Sequence, residues 1–182
     1  MSWPARQNYC GHLTEDLVGT DVKVCGWVDK YRNHGGVLFV DIRDHTGFVQ
    51  CVTIPGEYEE AHAICERLRN EYVVSVEGKL RLRSNPNTKV PTGMVEIEAH
   101  NITILNSVNF SLPFRIGASE GDEEPREDIR MRYRVLDLRR KRMSDNLRLR
   151  HKVVRAIRNF LEDNYDFVEV ETPMLAKPTP EV

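Results

Sequence analysis

The chain has no apolar run near the 18 or so residues of a membrane span. Its start, MSWPARQNYCG, lacks the apolar core of a signal peptide. Neither feature argues for a membrane partner or for secretion by that route. The four cysteines, Cys10, Cys25, Cys51 and Cys65, contain no C-x-x-C pair and sit among apolar neighbours. That pattern predicts buried, reduced thiols rather than a zinc site or a disulfide framework. There is also no glycine-rich phosphate loop, no nucleophile with an adjacent base and no clustered metal ligands.

What is present is enough for a packed core: 182 residues, 40% hydrophobic and 30% charged, with a formal net charge of -2. That small net charge conceals an asymmetry. Residues 129–159 hold twelve Lys/Arg against Asp137 and Asp145, a local +10, so the remainder carries -12. Whole-chain charge therefore says little about partners, because a basic element on an acidic body still meets polyphosphate.

Turn signals and alternation divide the first hundred residues into short strands. Val22–Val28 precedes the turn material RNHGG; Leu38–Asp44 alternates Leu38, Val40 and Ile42 with Phe39, Asp41 and Arg43; DHTG closes a hairpin into FVQCVTI. EYEEAHAICERLRNE places Ala61, Ile64, Cys65 and Leu68 at helical spacing. In the fourth strand Val74, Val76, Leu80 and Leu82 share one face, and Ser75, Glu77, Lys79, Arg81 and Arg83 share the other. SNPNTKVPTG suits a long hairpin loop. In the fifth strand Val95, Ile97 and Ala99 have the opposite parity to Ile102 and Ile104, which requires a bulge near His100-Asn101. Three strands, a helix and two strands is the order of a five-stranded OB-fold barrel over residues 1–105; an SH3-like barrel is the competitor, though it does not normally place a full helix there.

Residues 106–128, with prolines, glycines and an acidic cluster, read as a solvated linker or hinge rather than a metal site. Beyond it, IRMRYRVLDLRRKR predicts one basic helix, and Ser144 is the expected N-cap of a second helix running to about Asn164. Leu147, Leu149, Val153, Val154, Ile157, Phe160 and Leu161 form an apolar stripe on that helix. FVEVETPML then predicts a short strand stopped by Pro173. If fully buried, each side chain of the stripe would contribute roughly 1.5 to 3 kcal/mol. The stripe thus expects a second copy, another chain or a longer continuation to cover it.

One site candidate comes from geometry and residue type. Phe39 lies outside the barrel by period-2 alternation, beside Asp41 and Arg43, where a base could stack on its ring; the alternative is a minor cluster under a loop. Gln50 carries donor and acceptor together and can read a base edge, but by residue type alone it is, like Arg32, an unremarkable surface residue.

YCGHL, VGTDVKVCGWV, GGVLFVDIRDHTGFVQ, the run Arg130 to Arg139 and FVEVETPMLAKPTPE resemble, in that order, the N-terminal third of bacterial-type and organellar aspartyl-tRNA synthetases of class II. The resemblance implies an OB domain that binds the tRNA anticodon, a hinge, and over residues 129–182 the start of an α+β catalytic domain opening with motif 1, a dimer interface. Pro173 resembles the proline that ends motif 1. Phe39 matches the family's stacking phenylalanine, and Gln50 and Arg32 match anticodon contacts. The position of His34 resembles one that separates enzymes charging only aspartate tRNA from relaxed ones that also charge asparagine tRNA. Glu181 resembles a glutamate that contacts the amino acid. The basic helix could meet tRNA directly, but in the family this segment is mostly hinge and packing, with Asp137 and the acidic linker as its carboxylate partners.

The resemblance assigns ATP and Mg2+ to the complete enzyme and no cofactor to this chain, which lacks motifs 2 and 3 and is expected not to activate aspartate. It implies a bacterial cytoplasm or an organelle interior. A free-standing OB protein for single-stranded nucleic acid, or a regulatory dimerisation partner of the full synthetase, is the alternative.

Overall fold

The computed structural model describes residues 5–117 and 123–175. The chain divides into two compact units, Met1–Ser111 and Leu112–Val182. Glu181 lies outside the described residues.

In the first unit β1 (Asp21–His34), β2 (Val37–Arg43), β3 (Phe48–Thr53), β4 (Val73–Leu82) and β5 (Val95–Asn106) form a closed barrel in the order β1-β2-β3-β5-β4. Every neighbouring pair is antiparallel except β3 with β5, a short parallel seam that closes the ring. The inward faces of all five strands meet in one core that includes Val24, Val28, Leu38, Val40, Ile42, Val49, Val76, Leu80 and Ile97. Branched aliphatic side chains at alternate positions favour this pleated, one-sided burial. Helix α1 (Glu59–Glu66) lies between β3 and β4 in the chain and adds Ala61 and Cys65 to the core; a 3-10 turn at Cys10–His12 adds Cys10. The thiols of Cys10, Cys51 and Cys65 are buried, as their apolar neighbourhoods require.

The parity switch in β5 is resolved by a bulge. Glu77 pairs with Asn101 and Gly78 with Ala99, so His100 is the extra residue, and Ile102 returns to the interior. Gly78 is required at this crossing, because a Cβ there would lie 2.0 Å from the Glu98 carbonyl oxygen.

Several expectations need correction. β1 does not stop at Val28 but continues to His34, with a second bulge between Val28 and Lys30. Leu82, at the rim where β4 enters the 83–94 loop, is 55% exposed, and Ser75, on the outward face between Val74 and Val76, is nonetheless buried. Helix α1 is shorter than the 57–71 segment, since Tyr58 is left-handed (φ 45°, ψ 57°) and Arg67 caps the other end.

In the second unit the single basic helix is broken into α2 (Glu127–Arg132) and α3 (Arg134–Asp137), with Tyr133 at φ -111°, ψ 49° between them. A buried ion cluster lies beside the break. Asp137 is fully buried, and its carboxylate accepts from Arg130 at 3.0 Å, Arg134 at 2.6 Å and Arg140 at 3.3 Å. A buried carboxylate needs such partners, and Arg134 and Arg140 supply two of them at the i,i+3 spacing of helical neighbours. Glu124 pairs with Arg130, Arg140 and Arg142, so the acidic segment does serve as counter-charge.

Helix α4 (Lys141–Tyr165) starts before Ser144, with Arg140 at its N-cap; the Ser144 amide donates to the Arg140 carbonyl as an ordinary first-turn residue. Leu147, Leu149, Val153, Val154, Ile157 and Phe160 are exposed along it. The expected strand before Pro173 is exposed and forms no strand among the described residues. A strand needs a neighbour to satisfy its backbone groups. No described helix is long and apolar enough to cross a membrane.

Candidate nucleic-acid interface

The β1 bulge places Arg32 opposite Phe39, and β2 in turn places Phe39 opposite Val52. Antiparallel partners share a face, so the Arg32 guanidinium and the Phe39 ring both stand on the outside of the barrel. His34, near the end of β1, meets the Phe39 ring edge-on at 5.9 Å and 62°. These side chains form one wall of a groove of about 350 Å3, whose floor is Gln50 and Glu96 and whose far wall is Arg81, Arg83, Ser84 and Asn85. The four barrel residues singled out in the sequence, Arg32, His34, Phe39 and Gln50, thus line one cavity. Pro173 belongs to the exposed end of the second unit and takes no part in it.

The floor is a hydrogen-bonded chain. Gln50, only 6% exposed, accepts at Oε1 from Arg32 (3.1 Å) and Arg83 (2.7 Å) and donates through Nε2 to Glu96 (2.7 Å). Arg32 also donates to Asp41 at 2.8 Å, and Arg81 reaches Glu96 at 3.0 Å and Glu98 at 3.1 Å. Burial pushes the Asp41 carboxyl above its ordinary value, and the neighbouring Arg32 opposes that shift. Gln50 therefore keeps one amide hydrogen uncommitted, while its oxygen orients two guanidinium groups towards the cavity. Three cations, an accessible ring and a floor of donors and acceptors are the equipment that single-stranded nucleic acid requires.

Arg81, Arg83 and Glu96 were not singled out as site residues. Arg83 and Glu96 bond Gln50, and Arg81 bonds Glu96, because β5 pairs with both β3 and β4 and brings together residues as far apart as Gln50 and Glu96. The outward parity of Arg81 and Arg83 was the available signal. Among the described residues no group of three or more His, Cys, Asp or Glu could hold a metal ion.

Comparison with known proteins agrees with this geometry. Residues 22–105 match the OB-fold nucleic acid binding domain family, and residues 126–182 match the class II tRNA synthetases (D, K and N). The Aspartate--tRNA(Asp/Asn) ligase of Thermosynechococcus vestitus is 52% identical over 97% of this chain and 29% of its own length; that of a Cyanothece species is 50% identical over 97% and 30%. The chain spans about 30% of the length of the curated relatives it matches. Among solved structures, asparaginyl-tRNA synthetase from Pyrococcus horikoshii has a TM-score of 0.76 at 26% identity, covering 93% of this chain and 37% of that one. The aspartyl-tRNA synthetase of Entamoeba histolytica has a TM-score of 0.82 at 20% identity, covering 93% and 40%, a likeness of fold. Over the stretch it covers, the chain matches the N-terminal part of the Aspartate--tRNA(Asp/Asn) ligases, with an OB-fold nucleic acid binding domain followed by the opening of a class II synthetase domain.

Proposed function

We propose that this chain is the tRNA-reading part of an aspartate-tRNA ligase and that the barrel groove takes the anticodon loop. The observation that carries this reading is the Phe39 ring set beside Arg32 over the Gln50 and Glu96 floor. A base stacks on the ring, guanidinium groups meet phosphates, and the floor supplies a base edge with hydrogen-bond partners. Aminoacylation itself, with ATP and Mg2+, belongs to the complete enzyme, in a bacterial cytoplasm or an organelle interior.

The tRNA set includes aspartate tRNA and, through His34, asparagine tRNA; the printed names of the relatives, which pair Asp with Asn, support that extension. The exposed apolar face of α4, with Pro173 following it, fits a homodimer contact of the complete enzyme.

Titration of the 182-residue chain with a labelled anticodon stem-loop of aspartate tRNA tests the reading. Phe39→Ala is expected to weaken binding by about 1 to 3 kcal/mol, the worth of one stacked base. Equal affinity for a scrambled single strand, or an unaltered affinity in Phe39→Ala, would overturn it. A strong preference for the aspartate over the asparagine stem-loop would remove the His34 extension alone.

A further inference from the structure

Arg32 and His34 reach the groove only because β1 contains one extra residue. Up to Val28 the even-numbered residues face inward: Val22, Val24 and Val28 are buried, and Val28 pairs with Ile42. An unbroken register would continue by setting Arg32 against Leu38, a core residue, and would turn both Arg32 and His34 towards the interior. The structure instead pairs Lys30 with Asp41, so that Tyr31 comes against Val40 on the core side and Arg32 against Phe39 on the groove side. Asp29 is the inserted residue.

Arg43 grips that residue. It sits opposite Trp27 in β2, just before the insertion; its Nη1 bonds the Asp29 carboxylate, and its Nη2 donates to both Glu71 oxygens at 2.9 Å. Glu71 is itself left-handed (φ 65°), and its amide donates to the Val28 carbonyl at 2.7 Å, while the Val28 amide donates to Tyr72 at 2.9 Å. One guanidinium therefore ties the inserted residue of β1 to the turn that precedes β4. This is the point where β1 parts from β4, whose last pair is Trp27 with Val73, and goes on beside β2 alone. Beyond it, no second neighbouring strand holds the register of Lys30 to His34.

We infer that Arg43 is a positioning residue for the nucleic-acid groove, acting through Asp29 to fix which face of β1 carries Arg32 and His34. It donates to two carboxylates and is 18% exposed, so it acts through the strand and not on the ligand. The inference rests on the groove being the RNA site, as proposed above.

Asp29→Ala in the 182-residue chain separates positioning from simple charge. Removing an anion near RNA should strengthen binding if only the electrostatic field matters. Loss of positioning predicts the reverse: about tenfold weaker binding of the stem-loop, a shallower dependence on salt although no cation has been removed, and less than twofold further loss when Arg32→Ala is added. Unchanged or tighter binding, or losses from Asp29→Ala and Arg32→Ala that multiply, would overturn the inference. Should Asp29→Ala not fold, Arg43→Lys keeps the charge but cannot reach both carboxylates, and the same cycle is expected to show the same non-additivity.

The register can also be read without RNA, from the cross-strand NMR contact between Tyr31 and Val40. That contact should weaken in Asp29→Ala, and its full retention would overturn the inference whatever the RNA does. Failure of the wild-type chain to bind the stem-loop would sink the groove reading instead, with the register result standing apart.

Discussion

Gln50 and Glu96 are register partners across the parallel β3-β5 seam, and the Gln50 amide nitrogen donates to the Glu96 carboxylate at 2.7 Å. The bond joins the middle of the barrel sequence to its last strand and sets the floor of the groove. Glu96→Ala would leave Gln50 Nε2 and Arg81 Nε without this acceptor at a position only 3% exposed. A loss of about 1 to 3 kcal/mol is expected in urea unfolding. An unchanged midpoint would show that water replaces the carboxylate.

Asp44 anchors the β2-β3 turn to the N-terminal segment, accepting from the amides of Cys10 at 2.8 Å and Thr46 at 2.7 Å and from the Thr46 hydroxyl at 2.6 Å. Burial alone would raise its carboxyl, but these hydrogen bonds outweigh burial and hold it below the ordinary value. A depressed folded value means that the stabilisation is present above the unfolded value, about 3.9, and disappears as pH falls through the folded one. Asp44→Asn should therefore destabilise the barrel at pH 7 and flatten the acid limb of its stability curve. An acid limb as steep as in the wild type would place the linkage elsewhere.

Thiol chemistry should follow burial. Desolvation pushes the Cys65 thiol up to about 11, against an opposing hydrogen bond with Thr53, and raises Cys10 and Cys51 as well. At pH 8 these three thiols are protonated and inaccessible. A disulfide reagent should label them only after denaturant is added. Rapid labelling of the native chain at any of the three, located by peptide mapping, would contradict this.

The α4 face predicts association. Ile157 and Phe160 are each 55% exposed in a row with Val153 and Val154. Sedimentation at increasing concentration should show self-association of the 182-residue chain, and Ile157→Glu should shift it towards monomer by placing a charge in the apolar contact. A monomer at every concentration would remove the dimer reading from this helix.

Legibility in the sequence followed locality. The five strands, the intervening helix and the His100 bulge could be read because alternation and its parity break are written in neighbouring residues. The Asp29 bulge could not, because it falls among the polar residues Asp29, Lys30 and Arg32, which show no apolar parity break, and RNHGG just after them imitates a turn, so β1 looked finished at Val28. Arg32, His34, Phe39 and Gln50 line one cavity, but of these only Phe39 stood out by alternation, the other three through family likeness. Their partners Arg81, Arg83 and Glu96 come together through ring closure, which no local pattern records. In the second unit the helical periodicity of 129–142 is present, but the helix is interrupted at Tyr133, close to a buried Asp137 that gathers three arginines, two of them at i,i+3 spacing. Ser144 looked like a cap by residue type, yet the helix had already begun.

The short β3-β5 seam also orders events in time. Hairpins such as β1-β2 can form from neighbouring residues, but the ring closes only after β5 has been made, and such long-range pairings are slow to form. During synthesis the Phe39 wall is available well before Glu96 exists to complete the floor beneath it. An emerging chain would therefore present the Phe39 and Arg32 wall first, while the Arg81 and Arg83 wall and the Glu96 half of the floor arrive later, so the groove is a property of the finished ring.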